Sequence, residues 1–236
     1  MYYFFWYMHD KYVQKILEQT CQDYNLIAEQ YTSTRSYVPG DVLKLSEYIN
    51  SGDKVLDSGC ANARLYPIIK EKGAKYVGID VSESLIDISK NLYPDGEFRV
   101  MNSLNMDFDD EVFDKVLSVS VLHHIPSDKL RKKYLLEINR VLKKRGLILL
   151  RVQDLISNQK YRTLILKYFV LKLVGWNKMD FGDLLIPWKD GQGNILAERY
   201  FHCFSKKELK ELFKKSGFKI KKIYFDGKDP FYNIYV

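Results

Sequence analysis

The sequence predicts an α/β fold: a seven-strand, mainly parallel sheet whose last strand is antiparallel, with helices on both faces. Three observations carry that prediction. Strand-like and helix-like segments alternate from Lys54 to Leu150, the pattern of a parallel sheet covered on both sides. At the C-terminus a short turn, Asp226 to Pro230, joins two β-rich segments, a connection open to antiparallel but not to parallel neighbours. The chain has 236 residues, 46% of them apolar and 28% charged, which supports one packed core and excludes disorder, collagen and a membrane-spanning protein.

The elements follow in order. Val13, Ile16, Leu17, Tyr24, Ile27 and Ala28 recur at helical spacing, so an amphipathic helix is expected over 10–30, ending in the polar run Thr32-Ser33-Thr34-Arg35. Pro39 suits a first helical turn, and Asn50-Ser51-Gly52 stops the helix that it opens. Strands are expected at 54–56, 75–79, 97–101, 112–119 and 147–150. Helices at 65–71, from the cap Ser82 to Asn91, and from the cap Ser127 to Leu142 lie between them. Ser205-Lys206-Lys207-Glu208 is a capping box for a helix that buries Leu209, Leu212 and Phe213 and ends at Gly217. The closing hairpin pairs 218–225 with 231–236.

Residues 151–204 are too many for an ordinary loop. They are expected to form a cap, with a helix over 161–174 and an extended piece around Pro187-Trp188, inserted into a single domain spanning 1–236. The aromatic run Tyr2 to Met8 is too short for a signal peptide and lacks a basic lead; it is expected to be a short arm or to precede a start at Met8. Cys21, Cys60 and Cys203 are odd in number and far apart. That spacing fits neither a zinc site nor a disulfide framework and suggests a reduced, cytoplasmic setting with no metal; the leading aromatic run lacks an amphipathic basic face, so no membrane partner is expected.

The most specific local signal is Val55-Leu56-Asp57-Ser58-Gly59-Cys60-Ala61-Asn62-Ala63, a strand entering a small-residue turn before a helix. In open parallel sheets ligands sit beyond the carboxyl ends of the strands, where such a turn lets the backbone approach closely. Asp80 follows Gly59 by 21 residues and ends the next strand, the place for a carboxylate that accepts from two ribose hydroxyls.

Together these features resemble the class I S-adenosylmethionine-dependent methyltransferases, whose turn reads D-x-G-x-G-x-G with an acid at the end of the following strand. The resemblance extends to Val100-Met101-Asn102-Ser103-Leu104, to Ser118-Val119-Ser120-Val121-Leu122-His123-His124-Ile125 and to Leu136 through Gly146. It implies a Rossmann-like sheet and S-adenosylmethionine as cofactor. The residues it implies as holding that cofactor are Asp57, Gly59, Cys60, Ala61, Asp80, Val81, Asn102, Ser103, Leu104 and Ser118, with Tyr31 and Arg35 closing over it. Two departures stand out. Ala61 and Ala63 replace glycines, and alanine is strained if held left-handed; Asn102 replaces the adenine-side acid.

A narrower resemblance, to the tRNA wobble-uridine carboxymethyl methyltransferases, rests on Tyr24-Asn25-Leu26-Ile27-Ala28 through Thr34-Arg35, on Ile186-Pro187-Trp188 and on Arg199-Tyr200-Phe201-His202-Cys203-Phe204. It implies methyl esterification of a 5-carboxymethyluridine, with His123, Arg199 and His202 as candidate catalytic residues and His124, Trp188 and Tyr200 on the substrate. A carboxylate acceptor is already ionised and needs alignment more than a base.

Charge agrees with an RNA partner. Residues 1–128 carry 12 basic and 20 acidic side chains, and 129–236 carry 25 and 10, within a net +7. The basic half is expected to meet tRNA phosphates, and a small activator protein is carried as a second partner. Two other readings share the fold: a small-molecule methyltransferase, and a cofactor-poor pseudo-methyltransferase that only binds, motivated by Ala61 and Ala63.

Overall fold

The computed structural model describes residues 8–225 and 231–235. The expected arm before Met8 and the turn Asp226 to Pro230 lie outside them. Five parallel strands form the body of the main sheet: β1 (Lys54–Ser58), β2 (Lys75–Asp80), β3 (Glu97–Val100), β4 (Phe113–Val119) and β5 (Leu142–Gln153). Their order is β3-β2-β1-β4-β5, so the chain reverses direction across the sheet between β1 and β4. That reversal opens a crevice at the carboxyl ends of β1 and β4.

The parallel body agrees with the mainly parallel sheet expected from the sequence, and the differences lie in the last two strands and in the insertion. Beyond the five parallel strands, β8 (Lys222–Phe225) and β9 (Phe231–Tyr235) enter as an antiparallel pair at the β5 edge, with Leu150 opposite Ile234. A second, separate sheet comes from the inserted segment, where β6 (Asp183–Lys189) pairs antiparallel with β7 (Ile195–His202). The sequence showed only an extended piece there, because β6 begins in the short apolar run Leu184-Leu185-Ile186 and has no alternation of its own.

The helices follow the expected caps with shifted ends. The leading helix breaks at Ile27 into α1 (Asp10–Leu26) and α2 (Ala28–Thr34), and α3 (Gly40–Ser46) opens after Pro39. α4 (Tyr66–Glu71) and α5 (Glu83–Leu92) follow β1 and β2, and the Ser82 hydroxyl accepts from Leu85 N–H. α6 (Asp128–Val141) is capped by Ser127, α7 (Arg162–Leu173) lies in the insertion, and α8 (Lys206–Lys215) has both halves of its capping box.

Two apolar layers hold the sheet. On one face Tyr134, Leu135 and Ile138 of α6 and Leu209, Leu212 and Phe213 of α8 meet Val116, Ile148 and Leu150. On the other, Val42 and Leu45 of α3, Ile69 of α4 and Ile86 of α5 cover Val55, Leu117 and Leu149. Each such side chain stabilises the fold by about 1.5–3 kcal/mol, and the middle of β5, Leu147 to Leu150, covered on both faces, reads as a continuous apolar run for that reason. Among the described residues no helix is long and apolar enough to cross a membrane, and no group of three or more His, Cys, Asp or Glu side chains is placed to hold a metal.

Candidate functional site

A cavity of about 500 Å³ opens at the crevice. Its floor is the turn after β1. The N–H groups of Gly59 and Cys60 both donate to the Ile79 carbonyl at 2.8 and 3.0 Å, which folds this turn onto the end of β2. Gly59 has φ +80°, and a Cβ there would sit 2.3 Å from Val121 Cγ2. Glycine is therefore required both by conformation and by the β4 loop that closes against it.

Ala61 and Ala63 hold φ of 50° and 51°. The turn thus keeps the left-handed geometry of glycines while carrying methyl groups, at a cost of about 1–2 kcal/mol per residue. Ala61→Gly is expected to raise stability by about 0.5–1 kcal/mol, since the relieved strain exceeds the added freedom of the unfolded chain. A melting temperature unchanged or lowered in the variant would show that the turn is not strained.

Asp80 ties the turn together. Its Oδ2 accepts from Ala61 N–H at 3.0 Å and its Oδ1 from Ser82 N–H at 2.9 Å. Burial raises its pKa, opposed by those backbone donors. Each oxygen keeps a lone pair, and Asp80 lines the cavity, so it presents a fixed acceptor pair to a ligand diol. Asn102, Ser103 and Leu104, just beyond the neighbouring strand β3, line it as well. Asn102 Oδ1 accepts from Leu104 N–H at 2.9 Å, so its carboxamide shapes its own turn in addition to facing the cavity.

Helix α1 supplies a wall that sequence reasoning missed: Gln14, Leu17, Glu18, Cys21 and Tyr24 all face the cavity. Their spacing of three and four residues puts them on one helix face, but that spacing does not distinguish a cavity wall from a solvated or packed face. Asn25 fixes the helix, its Oδ1 accepting from Ser82 Oγ at 2.7 Å and Ser84 N–H at 3.2 Å.

Several expected cofactor contacts sit behind the wall. Asp57 is 2% exposed, and its Oδ2 accepts from Tyr76 OH at 2.7 Å, while Oδ1 has no partner. Burial, opposed by the Tyr76 hydrogen bond and reinforced by the charge of Asp80, lifts its pKa from the ordinary 3.8 to about 7. The folded state therefore holds a proton that the unfolded chain releases, and stability falls as pH rises from about 4 through 7. Asp57→Asn is expected to flatten that fall; parallel melting-temperature profiles for both proteins between pH 4 and 8 would refute it. Ser118 is also fully buried, bonded to Tyr134 OH at 2.7 Å, and Cys60 is buried beside them.

The other end of the cavity meets the insertion. His124 lines it, with Nδ1 2.7 Å from the Tyr200 carbonyl and Nε2 2.9 Å from Tyr24 OH. A carbonyl only accepts, so Nδ1 carries the proton and Nε2 accepts from the tyrosine. Burial, reinforced by the Arg199 charge, depresses its pKa to about 3, leaving a neutral ring that orients Tyr24. His123, the neighbour expected to be catalytic, instead stacks on Phe201 at 4.9 Å and accepts from Gln153 N–H, away from the cavity. The two rings, set by the 3-10 turn Leu122–His124, lie 4.5 Å apart, and only His124 lines the cavity.

Strand β7 makes the same division. Arg199 lies over the Trp188 ring at 4.6 Å and the Phe201 ring at 5.3 Å, with its Nε buried and without a hydrogen-bond partner. Tyr200 points the other way, into Met8, Val13, Ile16 and Met179. His202 is pinned between Asp183 at 2.6 Å and Glu208 at 2.7 Å; burial and Arg131 oppose its charge, but the two carboxylates hold its pKa above the ordinary value. Alternate residues of a strand face opposite sides, so Arg199, Tyr200 and His202 cannot share one site. Tyr200 and His202 fasten the insertion instead.

Tyr31 reaches the cavity and stands 6.0 Å from Trp188. Arg35 lies 5.7 Å from both rings, and Trp188 Nε1 donates to Gln30 Oε1. A cation–aromatic layer of Arg35, Tyr31, Trp188 and Arg199 therefore borders the His124 end. The cavity's size, its apolar Leu85, Met101 and Leu104 and the acceptor pair of Asp80 suit a nucleoside-bearing cofactor.

Comparison with known proteins agrees with this geometry. A family profile described as "Methyltransferase domain" matches residues 56–150. A protein of Encephalitozoon cuniculi named as a methyltransferase is 30% identical over 178 residues, covering 75% of each chain. The tRNA (carboxymethyluridine(34)-5-O)-methyltransferase of Schizosaccharomyces pombe is 26% identical, over 85% of this chain and 88% of its own. An Arabidopsis thaliana protein of the same name is 31% identical over 60% of this chain, but the match spans only 32% of that longer relative. Among solved structures, a SAM-dependent methyltransferase of Methanosarcina mazei superposes with a TM-score of 0.69 at 22% identity, covering 81% of this chain and 95% of that one.

Proposed function

The chain belongs to the S-adenosylmethionine-dependent methyltransferases, and from that premise we propose that it methylates the carboxylate of a carboxymethylated wobble uridine in tRNA. The observation that carries this reading is Arg199: a cation stacked between Trp188 and Phe201, its Nε unpaired, beside a neutral His124. An acid acceptor needs a cation to hold it and no base to activate it. The relatives whose names print this reaction include one matched over 88% of its length.

When bound, the cofactor supplies a sulfonium methyl that leaves a neutral thioether. The residues do the rest. Asp80 accepts from the ribose hydroxyls, Gly59 and Ala61 let the backbone approach, and Asn102 to Leu104 cradle the base. Tyr31, Arg35 and the α1 wall shield that end from water. Arg199 holds the acceptor carboxylate by a charge-assisted contact and Trp188 gives an aromatic face for an unstacked base. So held, the ionised acceptor oxygen would need alignment with the methyl group and no general base. Tyr24, oriented by His124, positions the acceptor.

Exposed lysines of α6 and α8, Lys132, Lys133, Lys210 and Lys214 among them, contribute the RNA-facing charge in this reading. Arg131 does not, being 3% exposed and donating to the Ile125 carbonyl.

The test is transfer of a labelled methyl group to bulk tRNA, followed by ribonuclease digestion and nucleoside mass analysis. A methyl ester on the carboxymethyluridine is the expected product. Label in another nucleoside, or in material that survives ribonuclease, would reject the substrate.

A further inference from the structure

Helix α7 carries apolar residues on both its inward and its outward face. Leu164, Ile165 and Tyr168 pack inward on Leu155, Leu184, Ile186 and Phe201. The outward face of such a helix ordinarily carries charge, yet here Leu166, Phe169, Val170, Leu173 and Val174 are 48–61% exposed, and Trp176, just beyond the helix, is 81% exposed. Those five positions recur at intervals of three and four and form one stripe. Arg162 and Lys167 flank it, Lys178 follows Trp176, and no Asp or Glu occurs between Leu155 and Met179. Contiguous exposed apolar surface of this kind marks a contact site.

We propose that the outer face of α7 docks on an anionic lipid bilayer, with the helix lying in the plane of the interface. The combination of chemistries selects this occupant. A second copy of the chain would set Arg162 and Lys167 against their own images with no acid to pair them. RNA would satisfy the cations but leave the aliphatic stripe against phosphate and water. An anionic bilayer satisfies both: acyl chains take the stripe, headgroups take the cations, and Trp176 sits at the boundary. At 12 residues the helix is about 18 Å long, too short to span and suited to lying on the surface. The β6–β7 pair stands between α7 and the cavity, since Phe201 meets the inner face of the helix and also stacks on His123. This proposal departs from the sequence expectation of no membrane partner.

The test is flotation of the full chain with phosphatidylcholine vesicles that contain phosphatidylserine, against phosphatidylcholine alone. The protein is expected to float with the anionic vesicles and to be released by added salt. Leu166→Glu with Leu173→Glu is expected to weaken binding by at least about tenfold, with melting temperature and S-adenosylmethionine affinity at wild-type values. Arg162→Glu with Lys167→Glu, which leaves the stripe intact, is expected to abolish the preference for anionic lipid. Four outcomes would overturn the proposal: no flotation, flotation indifferent to both double variants, a wild-type dimer that the leucine variant dissolves, or loss of methyl transfer to tRNA in either variant. The last would assign the face to RNA.

Discussion

Asp80→Ala is expected to weaken S-adenosylmethionine binding by about 10–10²-fold, as read by calorimetric titration. The carboxylate makes two kinds of contact. It accepts from Ala61 and Ser82 N–H in the ligand-free fold, and it offers its remaining lone pairs to the cavity. Truncation leaves two backbone donors without their acceptor, each costing about 1–3 kcal/mol when buried, and removes a charged acceptor worth about 1.5–3 kcal/mol. The turn it stabilises already holds two alanines at positive φ, so the loss also releases strain that Asp80 now restrains. Affinity within threefold of wild type would show that Asp80 only builds the turn. Because the stability cost is separate, the melting temperature must be measured on the same variant.

Arg199→Ala is expected to lower methyl transfer to tRNA by about 30–100-fold, the loss of one charge-assisted contact, while cofactor affinity changes by less than about twofold. The separation follows from geometry: Asp80 lines the cavity, whereas Arg199 lies outside its lining, against Trp188 and Phe201, and Phe201 meets His124 at 4.4 Å. Arg199→Lys is expected to recover only part of the rate, since an ammonium keeps the charge but loses the planar fork and the stacking. Equal losses of transfer and cofactor binding in the alanine variant would place Arg199 on the cofactor instead.

How much of this was legible beforehand depends on the element. The turn from Asp57 to Ala63 announced itself through small residues after an apolar strand, and Gly59, Ala61 and Asp80 stand on the cavity as expected. The α1 wall did not, because residues 14, 17, 18, 21 and 24 have the same spacing whether a helix packs on a core or closes a cavity. Asp57, Ser118 and Cys60 were drawn into the site by their place in a motif; the structure puts them one layer deeper, where Asp57 meets Tyr76 and Ser118 meets Tyr134.

Local pattern determined what depends on near neighbours in the chain: the parallel strands, the capped helices, the glycine at the turn and the acid at the end of β2. Caps, turns and periodicity act over a few residues, and their physics is written in those residues. The direction of a side chain near the site was decided only by the tertiary structure. His123 and His124 are adjacent, yet only His124 lines the cavity, and Arg199 to His202 are consecutive, yet Arg199 meets Trp188 while Tyr200 packs into the core. Which member faces the ligand depends on partners 76 or more residues distant for His124 and on the pairing of β7 with β6, contacts whose energies no local stretch of sequence contains.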